Sequence, residues 1–147
     1  MSKLREKQWQ IDGVANLATA APDILAFLAE APPVWRLEGP MGAGKTTLAS
    51  ALGRALGIAD TVQSPTFGIV NEYQLPSGAP VYHFDFYRLK NLEEAYGIGI
   101  EEYLDSNALC WLEWAEKITV LLPESYTTLF IRVQADNSRI ISASYYE

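Results

Sequence analysis

The stretch Gly39-Pro40-Met41-Gly42-Ala43-Gly44-Lys45-Thr46-Thr47 decides the fold. Its spacing, G-x-x-x-x-G-K-[ST], is that of a phosphate-binding P-loop. Glycines at 39, 42 and 44 reach backbone conformations closed to residues with a Cβ, so successive N–H groups can turn inward around a phosphate. Lys45 adds a mobile point charge for the β- and γ-phosphates, and the Thr46 hydroxyl is placed to ligate a Mg²⁺ that keeps most of its waters. Gly42, Ala43, Gly44, Lys45, Thr46 and Thr47 are therefore the candidate nucleotide-binding residues.

Both flanks fit. Val34-Trp35-Arg36-Leu37-Glu38 reads as a short strand, Leu48 to Leu56 carries apolar residues at helical spacing, and Gly57 stands where a helix C-cap belongs. Strand, Gly-rich turn and helix N-terminus are what phosphate binding at a helix dipole requires. An incidental Gly-rich surface loop would not need these neighbours.

The 147 residues fit one domain, residues 1–147, with room for a core but not for a second substrate domain. Hydrophobic residues at 49% and charged residues at 20% are ordinary globular values, which argues against disorder beyond the ends. A formal charge of -7 argues against a chain that grips nucleic acid unaided, because phosphate neutralisation needs a basic surface. The Lys3, Arg5 and Lys7 cluster is interrupted by Glu6 and reads as a solvated tail. The single cysteine, Cys110, excludes an internal disulfide and lies in an apolar run that suits core packing. No stretch approaches the roughly 18 apolar residues of a membrane span, and the charged N-terminus lacks a signal core. The expectation is a cytoplasmic protein, monomeric when free.

Along the chain, Glu6–Ile11 reads as a first strand, with Asp12 as the N-cap of a helix. Pro22 makes that helix either kinked or two short ones. After Gly57 an irregular, hydroxyl-rich loop contains Ser64-Pro65-Thr66-Phe67, where many P-loop proteins place the segment that senses the γ-phosphate. Thr66 is the natural sensor, with a plain Ser-Pro turn as the alternative. Residues 68–75 and 81–87 alternate around a turn and read as a β-hairpin, so the sheet should be mixed. A short helix capped by Asn91, a helical turn near Glu101–Leu104, a buried strand Ala108–Leu112, a short helix Ala115–Leu122 and a second hairpin (Tyr126–Val133, Arg139–Tyr145) complete the chain. The fold class is α/β, a P-loop NTPase fold with a mixed central sheet flanked by helices.

A P-loop needs a carboxylate at a neighbouring strand end to hold Mg²⁺ directly or through water. Glu113 follows the most apolar strand, and ligands in open α/β sheets bind outside strand carboxyl ends. Asp85 lies among aromatic residues, where an unpaired acid is expensive to bury. Glu113 has the alternative of a solvated strand end, and Asp85 that of a structural partner for Arg88 or His83. His83, the only histidine, lacks companion ligands for a metal role and reads as a hydrogen-bonded structural residue. Trp111 and Trp114 read as core, with Trp114, just past the strand end, retaining the option of lying near the nucleotide.

With these segments in place the chain resembles the TsaE family of tRNA threonylcarbamoyladenosine biosynthesis proteins. The match rests on Gly42-Ala43-Gly44-Lys45-Thr46-Thr47, Ser64-Pro65-Thr66-Phe67, Val70-Asn71-Glu72-Tyr73, His83-Phe84-Asp85-Phe86-Tyr87-Arg88, Gly99-Ile100-Glu101-Glu102-Tyr103-Leu104 and Glu113-Trp114, in that order. The resemblance implies a small ATPase acting with the partners TsaB and TsaD, which place a threonylcarbamoyl group on adenosine 37 of tRNAs reading codons that begin with A. It implies Mg²⁺ ligation by Thr46 and Glu113, a functional Asp85, a switch loop at Ser64-Pro65-Thr66 and a nucleotide contact from Arg139. Two departures stand out: Pro40-Met41 replaces the usual Asp-Leu, and Asp12-Gly13 replaces an Asp-Glu that helps hold the nucleoside. That nucleoside contact is therefore not carried over.

The expected chemistry is phosphoryl transfer from ATP to water. Lys45, the P-loop amides and Mg²⁺ on Thr46 and Glu113 neutralise charge, and Asp85 or Thr66 positions the nucleophile, which makes Asp85, Thr66 and Lys45 the candidate catalytic residues. No arginine is obviously placed as a finger, although Arg88 is a candidate, so turnover alone should be slow and partner-dependent, with tRNA met only through the complex. Two rivals differ in class. A small-molecule kinase would need a basic lid, yet after Glu113 the only cations are Lys117, Arg132 and Arg139. A nucleotide-dependent binding module without useful hydrolysis is harder to separate. A GTP switch lacks its Asn-Lys-x-Asp motif.

Overall fold

The computed structural model describes residues 3–65 and 68–147. Its strands are β1 (Leu4–Ile11), β2 (Val34–Glu38), β3 (Val70–Gln74), β4 (Pro80–Asp85), β5 (Leu109–Glu113), β6 (Thr127–Val133) and β7 (Arg139–Tyr146). They form one sheet in the order β1-β7-β6-β2-β5-β4-β3. The contacts β2–β5, β2–β6 and β4–β5 are parallel, and the two hairpins and β1–β7 are antiparallel, so the sheet is mixed. Helices α1 (Val14–Phe27), α2 (Lys45–Leu56), α3 (Leu92–Gly97) and α4 (Ile100–Leu104) and a 3-10 segment, Ala115–Leu121, flank it.

Alternation along the strands sends side chains to two faces. Trp35, Leu37, Trp111, Leu129 and Ile131 pack with Leu17, Ile24, Leu48 and Leu52 of α1 and α2. Phe84, Cys110 and Leu112 pack on the other face with Ile100, Leu104 and Ile118. Removing a side chain such as Trp111, fully buried here, costs about 3–5 kcal/mol. Burial pushes the Cys110 thiol up to about 12, as its reading as core requires. The helix ends follow local chemistry: Gly57 closes α2 in the left-handed region at φ 89°, and the Asn91 side chain accepts from Glu94 N to cap α3.

Three expectations change. The Lys3, Arg5 and Lys7 cluster is no tail, because it lies in or beside edge strand β1, with Arg5 Nε 2.7 Å from Glu147 Oε2 and Lys7 Nζ 2.8 Å from Asp23 Oδ2. Its partners are distant in sequence, so charge alone could not place it. Gly13, not Asp12, is the N-cap of α1, and Asp12 N donates instead to Asn16 Oδ1 at 3.1 Å. Of the two alternatives open for the first helix, the single element is the one present: α1 runs through Pro22, the proline withholding a single donor from the ladder. Ala115–Leu121 is 3-10 with a non-helical break at Ile118 rather than one regular helix.

Candidate functional site

Three of the four parallel strands, β2, β5 and β4, end at one edge, and each delivers part of the site. β2 runs into the P-loop, β5 ends on Glu113, and Asp85 closes β4 directly opposite Glu113 in the register. This is the carboxyl end where α/β sheets place ligands.

The P-loop glycines hold conformations that a side chain would oppose: φ is 151° at Gly39, 77° at Gly42 and 108° at Gly44. Gly39 is further constrained, since a Cβ there would stand 2.9 Å from Ile131 O of β6. Lys45 is buried, its Nζ donating to Gly39 O at 2.8 Å and lying 3.7 Å from the centre of the Trp114 ring. Trp114 itself sits in the left-handed region at φ 60°. Trp111 is core, and Trp114 packs partly buried against the second core cluster while its ring also meets Lys45 of the P-loop.

Thr46, Ser64 and Glu113 converge. Thr46 Oγ1 is 3.1 Å from Glu113 Oε2, 3.2 Å from Oε1 and 2.7 Å from Ser64 Oγ, and Ser64 Oγ is 3.4 Å from Glu113 Oε2. Glu113 is only 3% exposed, so it is not a solvated strand end. His83 Nε2 donates to Glu113 Oε2 at 2.7 Å. The donor set is one carboxylate and two hydroxyls, all hard oxygens. Such a set suits Mg²⁺ shared with phosphate oxygens, the usual way this ion is held. Among the described residues no group of three or more His, Cys, Asp or Glu side chains forms a self-contained metal cage.

Asp85 pairs with neither Arg88 nor His83 in hydrogen-bonding terms. Its Oδ1 accepts from Tyr87 N at 3.0 Å, turning the chain after β4, and its side chain faces the same cleft as Glu113. Lys117 holds that turn by donating to Tyr87 O at 2.6 Å and Leu89 O at 3.3 Å. The cleft is about 990 Å³, with Lys45, Thr46, Ser64, Asp85, Arg88 and Glu113 in its walls. Thr66 lies outside the described residues.

On the other side of the P-loop a smaller pocket of about 340 Å³ is walled by Gly42, Ala43, Gly44, Thr47, Ile131, Ile141 and Arg139. Arg139 Nε donates to Ala43 O at 3.0 Å, and its Nη1 donates to Asn137 O. Asp12, Gly13, Val14 and Leu17 complete the wall from the start of α1. Sequence reasoning left these four out, and it also missed the partnership of Ser64 with Glu113 and of Tyr73 with His83. The hydroxyl-rich loop was a visible signal for Ser64, and Tyr73 stood in the Val70-Asn71-Glu72-Tyr73 motif of the family resemblance, which gave it no partner.

No helix among the described residues is long and apolar enough to cross a membrane. The family model described as threonylcarbamoyl adenosine biosynthesis protein TsaE matches residues 13–141. Proteins named tRNA threonylcarbamoyladenosine biosynthesis protein TsaE are similar to the chain. That of Bacillus subtilis is 37% identical over 123 residues, covering 84% of this chain and 76% of the relative. That of Treponema pallidum is 36% identical over 121 residues, covering 82% and 88%. The match to the Haemophilus influenzae protein is 43% identical over 89 residues and spans 60% of this chain and 56% of that relative. The crystal structure of Bacillus subtilis YdiB superimposes with a TM-score of 0.74 at 31% identity, over 97% of this chain and 87% of that one. With most of its length matched by the family model and by relatives above 30% identity, the chain belongs to the TsaE family of threonylcarbamoyl adenosine biosynthesis proteins.

Proposed function

We propose that the chain is a P-loop ATPase that hydrolyses ATP in the threonylcarbamoyladenosine modification of tRNA adenosine 37, acting with TsaB and TsaD. The observation that carries this is the meeting of Thr46, Ser64 and Glu113 beside a P-loop with a buried lysine. Family membership supports the pathway.

In this reading the inward amides of Gly42 to Thr47 bind the phosphate tail and Lys45 leaves Gly39 O and the Trp114 ring to meet the β- and γ-phosphates. Thr46 and Glu113 would hold Mg²⁺, which supplies charge neutralisation on the phosphate oxygens. Asp85, at the rim of the same cleft, positions the attacking water, a role that Thr66 would share or take over. The nucleoside lies in the smaller pocket, with Arg139 on its wall. Arg88 lines the cleft, but among the described residues no hydrogen bond or ion pair fixes it over the P-loop, so hydrolysis by the free chain is slow. Ordering by partners, or an arginine lent by one, adds about 10³-fold or more. With a net charge of -7 the chain meets tRNA through its partners, in the cytoplasm, and is monomeric when free.

The test is calorimetry of ATP with and without Mg²⁺, followed by phosphate release with and without TsaB and TsaD. Tight Mg²⁺-dependent binding and partner-stimulated release are expected. Absence of ATP binding overturns the reading, and binding without release, even in the assembled system, leaves a nucleotide-dependent binding module in its place.

A further inference from the structure

His83 is fully buried, yet it is held by polar groups on both ring nitrogens. Nε2 donates to Glu113 Oε2, and Nδ1 lies 3.2 Å from the hydroxyl of Tyr73, a residue only 4% exposed. That hydroxyl is bound to the loop after α2: it accepts from Gln63 N at 3.1 Å and lies 2.8 Å from Gln63 O. The result is a continuous relay, Gln63–Tyr73–His83–Glu113. Its near end is one residue before Ser64, and Ser64 reaches Thr46 and Glu113 directly. The loop and the carboxylate are thus joined twice, once through a hydroxyl in the cleft and once through the sheet interior.

The Tyr73 hydroxyl has one proton and two acceptors, Gln63 O and His83 Nδ1. Asn71 Nδ2 also donates to Gln63 O at 3.0 Å, so that carbonyl keeps a partner when the Tyr73 proton turns toward His83. An apolar trio would stabilise this core position as well or better, because a buried polar chain carries a desolvation cost. A relay with one end at a loop and the other at a carboxylate in the cleft has a further use.

We propose that His83 and Tyr73 are positioning residues for Glu113, fixing the carboxylate oxygens offered to a divalent cation according to how the Gln63–Ser64 segment is seated. This rests on the reading of Glu113 as the Mg²⁺ ligand, and it makes cation affinity, rather than nucleotide affinity, the quantity the loop controls. Groups that orient a ligating side chain typically change metal affinity by 10- to 100-fold when removed.

The experiment uses the full chain and a non-hydrolysable ATP analogue, titrated with Mg²⁺ in calorimetry. Tyr73→Phe keeps the ring packed against Trp111 and deletes only the hydroxyl. We expect its half-saturating Mg²⁺ to rise about 10-fold while analogue affinity without Mg²⁺ stays within about twofold of wild type. His83→Ala should give at least the same shift, with His83→Gln recovering part of it by offering a donor to Glu113. Amide exchange at Gln63 should quicken in both Tyr73→Phe and His83→Ala. A folded Tyr73→Phe chain with an unmoved Mg²⁺ midpoint overturns the proposal, as does an equal loss of affinity with and without Mg²⁺, which would mark a merely structural role. If wild type binds the analogue and Mg²⁺ normally, such a result sinks the relay alone; if wild type binds neither, the ATPase reading falls with it.

Discussion

The P-loop is a partition between two cavities that share Gly42, Gly44 and Thr47 as wall residues. On one side the cleft of about 990 Å³ gathers cations, carboxylates and hydroxyls from the ends of β4 and β5, the P-loop with the start of α2, and the loop after α2. On the other, the pocket of about 340 Å³ sets the aliphatic side chains of Ile11, Val14, Leu17, Ile131 and Ile141 beside the polar ones of Asp12, Thr47, Asn137 and Arg139. The difference teaches where precision is built. In the cleft, Glu113 and Lys45 are buried and each is fixed by a short hydrogen bond, that of Glu113 coming from His83 in the sheet interior behind it. In the pocket the arginine is tied to a backbone oxygen, Ala43 O, rather than to a buried carboxylate.

Four experiments sharpen or break that division. Lys45→Ala should have the largest effect, removing measurable ATP binding in calorimetry, because the charge-assisted bonds of the cleft have no substitute. Glu113→Gln comes next: ATP should still bind, while phosphate release in the presence of partners falls about 100-fold or more, as expected when a group acting mainly on the reacting charge is lost. Retained release in Glu113→Gln would move the chemistry away from this carboxylate. Arg139→Ala should weaken ATP and ADP equally, by roughly 10-fold, the scale of one charged hydrogen bond. A loss confined to ATP would place Arg139 at the γ-phosphate and dissolve the distinction between the cavities.

The smallest effect concerns the turn that carries Arg139. Asp136 accepts from Ser138 N at 3.0 Å and from Ser138 Oγ at 2.6 Å, and these bonds hold its carboxyl below the usual range. A carboxyl whose folded value is lowered adds stability above its unfolded value and loses it as pH falls through the folded one. Asp136→Ala should therefore lower Tm slightly at neutral pH, and the gap from wild type should close as the pH drops through the acid range. A gap that persists in acid would assign the effect to packing of the turn.

What the residues announced and what they hid divide along sequence distance. The P-loop, the Asn91 cap, the Gly57 stop and both hairpins depend on neighbours within a few positions, and each was legible. The meeting of Thr46 with Ser64 and Glu113 depends on β5 lying beside β2, and the Tyr73–His83 contact on the pairing of β3 with β4. Such contacts span 10 to 67 positions in the chain, so no local pattern encodes them. The same reason explains the misread basic cluster at the start: Arg5 meets Glu147, 142 positions away. Asp85 shows the intermediate case, since its place at a strand end was visible but its bond to Tyr87 N, in preference to Arg88 or His83, needed the turn geometry.

The centre of the Trp114 ring lies 3.7 Å from the Lys45 ammonium group, which in the proposed reading swings away when a triphosphate enters. Its emission should change with each loading and release. A version of the chain with Trp9, Trp35 and Trp111 replaced by Phe would then carry a built-in optical gauge of occupancy, readable in real time without a dye.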